Sequence, residues 1–178
     1  LYFTKDILLD KAAIGQTSAS ANLITLDVQP DQIGEVINTF EANKLPVMDN
    51  IPLVTMRMHS IKNKLINELR TDSTAQIKGR LLNHEFRTTY RSGLVASEEI
   101  VAGEWVASQK AGETIQISIS ENLADDANVT VGDSIVFNVQ GVLMETVVKS
   151  IRKVDWTNLQ PNFTIVFPKG ILESAPQF

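Results

Sequence analysis

Hydrophobic positions recur at two different periods along this chain, and the change of period marks its elements. Between Asn22 and Val28 they alternate, with Ile24, Leu26 and Val28 on one face and Leu23, Thr25 and Asp27 on the other, which predicts a strand. Pro30-Asp31 suits a helix start, because proline loses nothing in the first turn and an acid suits the positive end. Ile33, Val36, Ile37 and Phe40 follow at helical spacing until Asn43, Lys44 and Pro46 end the helix. Leu53 to Ser60 returns to period two, with Val54, Met56 and Met58 on one side. These three elements predict a β-α-β unit whose strands run parallel through a right-handed crossover.

The pattern is weaker in the middle. Ile61, Leu65 and Leu69 suggest a short helix, and Thr71 to Gly79 reads as a polar loop. Arg80 to Tyr90 contains a strand that is expected to expose Arg87 and Thr89, and Glu99 to Val106 is strand-like around Trp105. The last third is plainer. Thr114 to Ile119 is a strand, and Ser120 caps a short helix ending at Ala127. Gly132-Asp133 turns into Ile135, Phe137 and Val139, one inward face. Gln140-Gly141 is a tight hairpin turn leading to a long returning strand, Val142 to Val154, and a final strand spans Phe163 to Phe167.

The expected fold is therefore α+β: a β-α-β lobe over residues 22–70, then a mainly antiparallel β lobe with one short helix over 71–178, with strands returning to the first lobe. Residues 1–21 read as a polar lead-in, and the seam falls in the polar stretch 61–80.

Composition narrows the function classes. With 178 residues and 43% hydrophobic content the chain can bury a core. Its 16 basic residues are outnumbered by 21 acidic ones and form no phosphate-tracking cluster, so nucleic acid is not an expected partner. The absence of cysteine excludes disulfides, thiolate zinc sites and a cysteine nucleophile. No run of about 18 apolar residues is present, and no signal peptide is visible. A cytoplasmic protein and a loop excised from between two membrane helices would both read this way.

Candidate chemistry is sparse. His59 and His84 sit in no ligand-spaced motif and read as surface or rim residues. Glu98-Glu99 and Asp125-Asp126 are adjacent acids, which diverge on a strand or a helix and so read as solvated charge pairs rather than a catalytic dyad. No serine stands in a G-x-S-x-G turn and no nucleotide-type glycine loop occurs. Trp105 and Trp156 suit either a stacking pair or, more simply, anchors of a β core whose N–H groups find partners. Met56 and Met58 read as core.

Several blocks carry a resemblance. The order Ile119 to Ala124, Val131-Gly132-Asp133 to Phe137, then the hairpin at Gly141, resembles the extracytoplasmic, MacB-like periplasmic core domain of FtsX-like ABC transporter permeases. Ser150-Ile151-Arg152-Lys153-Val154-Asp155-Trp156 and Pro161-Asn162-Phe163-Thr164-Ile165-Val166-Phe167-Pro168-Lys169-Gly170 are similar to blocks of the YbbP-like subgroup, as are Ile100 to Trp105, which includes Gly103, and Asp27 to Gln32. The resemblance runs from about Asn22 to Pro176. Lys169 stands where the subgroup often has a second proline. Members continue past Ala175-Pro176 into a further strand, helix and strand, so the first lobe is expected here with half its usual sheet.

The resemblance implies a porter-like first lobe and a sabre-like second one. It also implies a non-catalytic domain on the periplasmic face of the bacterial inner membrane, in a membrane-spanning parent. That domain would transmit ATP-driven movement for export or membrane extraction of hydrophobic, lipid-like compounds. It would hold no cofactor, since a separate cytoplasmic ATPase uses the ATP. Implied partners are that ATPase, a second homologous extracytoplasmic domain and a periplasmic lipase or esterase. The Arg152 to Trp156 block is expected at the junction of the lobes, with Trp156 buried. The competing class is a free-standing periplasmic adaptor or protein-binding module, and a small hydrolase stands third.

Overall fold

The computed structural model describes residues 23–110, 112–157 and 161–175, and it gathers the period-two segments into one sheet that closes on itself. Strand β1 (Val54–Ile61) pairs antiparallel with β3 (Glu85–Tyr90), and β3 runs parallel to β8 (Ile165–Phe167). β8 pairs antiparallel with β5 (Ile115–Ser120), which runs parallel to β7 (Val142–Val154). β7 pairs antiparallel with β6 (Ser134–Val139), and β6 returns antiparallel to β1. The ring of six strands is a closed barrel. Closure hides the edges that an open sheet would expose.

The inner faces follow the alternation read from the sequence. Val54, Met56 and Met58 meet Phe86, Ile117, Ile119, Ile135, Phe137, Ile165 and Phe167 in one buried cluster. Phe137 and Phe167 contact edge-to-face at 6.2 Å. Hydroxyls admitted to this layer bond to backbone: Thr88 donates to the Ile165 carbonyl and Thr146 to the Ile135 carbonyl, each at 2.7 Å.

Local signals explain the connections. Helix α3 (Glu121–Ala127) begins where the Ser120 hydroxyl accepts the Leu123 N–H at 3.3 Å, and it ends on a left-handed Asn128. Gln140 and Gly141 both have positive φ, the geometry of a two-residue hairpin between β6 and β7. Short α2 (Ile66–Thr71) follows the two-residue strand β2 (Lys64–Leu65) and buries Ile66 and Leu69.

The α+β class holds, with mostly sheet and few helices among the described residues. Four expectations change. The strand predicted over residues 22–28 is not formed in its described part: residues 23–29 are irregular, and Leu23, Ile24 and Leu26 are exposed. Alternation marks a face, but a strand also needs a hydrogen-bonding neighbour, and among the described residues no strand pairs with this segment. The predicted helix exists as α1 (Ile33–Ala42) but buries no residue. The seam at 61–80 does not separate two cores, because β1 closes the barrel between β3 and β6. The sheet is mainly antiparallel as expected, and barrel closure adds two parallel pairs, β3–β8 and β5–β7. Finally, Thr89, expected to be exposed, is buried, in register with Val166. The lead-in, residues 1–21, lies outside the described residues.

Candidate functional site

The densest polar arrangement lies outside the barrel interior, where β4 (Glu98–Gly103) covers the second half of β7. Its origin is a bulge. Ile117 pairs with Val148 but Ser118 pairs with Ser150, so Lys149 is an extra residue in β7. Before the bulge Thr146 and Val148 are buried on the core side; after it Ile151 takes that side, and Ser150 and Arg152 turn away from the interior. The bulge also fixes Gly103: a Cβ at this residue, which has positive φ, would collide with the Lys149 carbonyl oxygen.

Arg152 is wholly buried and uses all three guanidinium nitrogens. Nε donates to the Ser118 hydroxyl at 2.9 Å, Nη2 donates to the Phe163 carbonyl at 3.0 Å, and Nη1 pairs with Glu98. Ser150 donates to the same Ser118 oxygen at 2.7 Å. The second Glu98 oxygen takes Arg91, so one fully buried carboxylate bridges two arginines. Burial pushes the Arg152 guanidinium down to about 10; Glu98 opposes this and the like charge of Arg91 adds to it. Arg152 therefore stays charged at neutral pH. Arg91 lies 5.9 Å from the Trp105 ring centroid, and the Trp105 indole N–H donates to the Ser92 carbonyl at 3.0 Å.

A second chain of bonds extends the network. Asp155 N–H donates to the Ser97 carbonyl at 2.8 Å, the Ser97 hydroxyl to Asn162 Oδ1 at 2.8 Å, and Asn162 Nδ2 to the Asp155 carbonyl at 2.9 Å. Phe163 is buried beneath it, and Pro168 is buried beside Trp105. The structure thus gathers Arg152, Asp155, Asn162 and Phe163 near Glu98 and Ser97, joins Trp105 to them through Arg91, and sets Gly103 beside Ser150 and Pro168 beside Trp105. Phe167 belongs to the barrel interior, and Lys153 and Trp156 face solvent. Trp156, expected as a buried anchor, is 47% exposed and lies beyond the end of β7. The remaining motif residues set turns at the β6 hairpin. Gly132 N–H donates to the Val148 carbonyl at 2.8 Å, and Gly141 N–H to Asn138 Oδ1 at 2.7 Å. Asp133 accepts from Thr130 N–H at 2.7 Å and from Lys62 at 3.0 Å. Burial raises the Asp133 carboxyl, but the Thr130 N–H and Lys62 outweigh it and hold the group below the ordinary carboxylate value.

Both adjacent acid pairs were read as solvated, and in each pair one member is not. Glu98 is buried as described. Asp126 is buried in α3, pairing with Arg80 and, at 2.5 Å, with Lys78. The Arg80 and Lys78 hydrogen bonds hold its carboxyl below the usual range. One signal for Glu98 was present: an arginine inside a strand-patterned run, at Arg152, needs a buried acid if its face is covered. The bulge that covers that face left no trace in the periodicity.

As chemistry, the network can fasten and orient. Among the described residues no set of three or more His, Asp or Glu side chains could hold a metal ion, and no helix is long and apolar enough to cross a membrane.

Comparison with known proteins gives a likeness to a permease. The chain is similar to the uncharacterized ABC transporter permease YbbP of Escherichia coli (strain K12), 29% identical over 170 residues. The match covers 96% of this chain and 20% of that protein, so the chain spans about one fifth of the relative's length. This likeness supports an ABC-permease-related domain. No family model matches the chain.

Proposed function

We propose that the chain is a non-catalytic, extracytoplasmic domain of a YbbP-like ABC permease of the MacB type. In this reading it relays movement driven by a cytoplasmic ATPase to the export or membrane extraction of hydrophobic, lipid-like compounds. The observation that carries the reading is the likeness to an ABC transporter permease along 96% of the chain. A relay domain has to be stiff and must dock on other parts of its transporter. A closed barrel braced by Arg152 and Glu98 supplies stiffness. Leu23, Ile24, Leu26, Leu45, Val47 and Met48 are all exposed around α1, and they offer an apolar flank for docking. This flank is where a porter-like lobe would extend, with a second homologous domain and a lipase or esterase as further partners.

The side of the membrane is testable in cells, because the chain has no cysteine of its own. A cysteine placed at Lys153 in the full-length parent permease should react with a membrane-impermeant maleimide in intact cells with a permeabilised outer membrane. Reaction only after inner-membrane lysis would place the domain in the cytoplasm and end the proposal.

A further inference from the structure

The chain has two histidines, and the fold brings both to one surface cleft of about 220 Å³ between β1, α2 and the 3₁₀ turn Gly79–Asn83. His59 comes from β1 and His84 from the residue after the turn. Arg57 and Arg70 join them, and Leu65 and Leu82 supply apolar wall. No carboxylate lines the cleft, although acidic residues outnumber basic ones 21 to 16 in the chain. The acids nearest to it are already engaged: Glu85 with Arg57 at 3.3 Å, and Glu68 with the Leu65 N–H at 3.2 Å.

Arg70 and His84 are also held in place. Arg70 Nη2 donates to the Leu82 carbonyl at 3.0 Å and to Asn83 Oδ1, and the His84 ring packs edge-on against Phe86 at 4.6 Å. Groups fixed before a ligand arrives lose little entropy when it binds. The cleft is smaller than the roughly 300–1,000 Å³ of pockets for drug-sized ligands, so it suits a head group rather than a large molecule. We propose that this cleft binds a small amphipathic oxyanion, a phosphate or carboxylate borne on a short apolar body. The arginines and imidazoles would take the charge, and Leu65 and Leu82 the body. This inference does not rest on the permease reading.

With only two histidines, the imidazole ¹H–¹³C resonances report the cleft directly. The 178-residue chain is titrated with phenyl phosphate at a fixed pH near about 6.5, where an imidazole can carry charge. Both signals should shift together and saturate with a Kd of about 1–10 mM, as for a small ligand with few contacts. Inorganic phosphate should bind about fivefold more weakly for want of apolar contact, and neutral benzyl alcohol should leave both signals in place. Leu65→Asp, at a residue 42% exposed, puts a carboxylate in the mouth without touching the core and should abolish the response. Arg70→Met should weaken it about fivefold or more. Phosphatidylcholine vesicles doped with phosphatidic acid separate two sources of the anion: a response to them assigns a lipid head group, and a response to phenyl phosphate alone assigns a free molecule. Three results would each overturn the proposal: no saturable shift by about 50 mM phenyl phosphate, an equal shift with benzyl alcohol, or Leu65→Asp binding as the parent does.

Discussion

Replacing Glu98 by alanine removes the carboxylate that bridges Arg91 and Arg152 while leaving both arginines in place. Arg152 is the critical partner, because its side chain is fully buried and its other bonds go to neutral oxygens of Ser118 and Phe163. Breaking a buried ion pair from one side costs about 3–5 kcal/mol, since the remaining charge keeps its desolvation penalty without its compensation. Arg91 adds less, being partly exposed and able to reach solvent. At about 2–4 °C per kcal/mol for a chain of this size, the midpoint of thermal unfolding should fall by roughly 6–20 °C. Circular dichroism melts and urea titrations of the purified domain would measure it. Arg152→Met combined with Glu98→Ala removes the stranded charge and should recover a large part of the loss. Glu98→Ala within about 1 kcal/mol of the parent would refute the argument, because it would mean that the site is hydrated and the bridge idle.

Other expectations follow from the same coordinates. Gly103→Ala should destabilise by more than about 1 kcal/mol, since positive φ and the Lys149 carbonyl both oppose a Cβ, and a urea midpoint would show it. Asp126 has a folded-state carboxyl value lowered by Arg80 and Lys78, so its contribution is present above about pH 4 and is lost as pH falls further through the lowered value. Asp126→Asn should therefore flatten the acid limb of the stability–pH curve, and an unchanged limb would contradict the pairing. Trp156→Ala should stay within about 0.5 kcal/mol of the parent, as for a surface change, whereas Trp105→Ala, which loses the Ser92 bond and the Arg91 contact, should melt measurably lower.

What the sequence made legible was local. The Ser120 cap, the Gly132-Asp133 turn, the Gln140-Gly141 hairpin and the full extent of β7 all depend on neighbours a few residues apart, and each was readable. Closure of the barrel was not. The β3–β8 pairing joins Thr89 to Val166, and no periodicity within either strand names so distant a partner. The site failed to show for a related reason. Alternation along β7 is broken by one extra residue, Lys149, and that single step decides that Arg152 leaves the interior and that Glu98 is buried over it. Alternation was also misleading in the opposite sense at residues 23–28, where an apolar face exists without a strand to pair with. The resemblance singles out residues around Arg152 without saying what they touch. The contacts make Arg152, Asp155, Asn162 and Phe163 a clasp on β5 and the start of β4.

The proposed relay is tested by a distance. Spin labels at Lys153 of this domain and at an extracytoplasmic position on another part of the full-length permease would be measured by pulsed electron resonance, with the ATPase in its resting and its ATP-trapped states. The account predicts a distance distribution that shifts on trapping and reverts when nucleotide is released. Identical distributions in the two states, from a transporter shown to be turning over ATP, would contradict it.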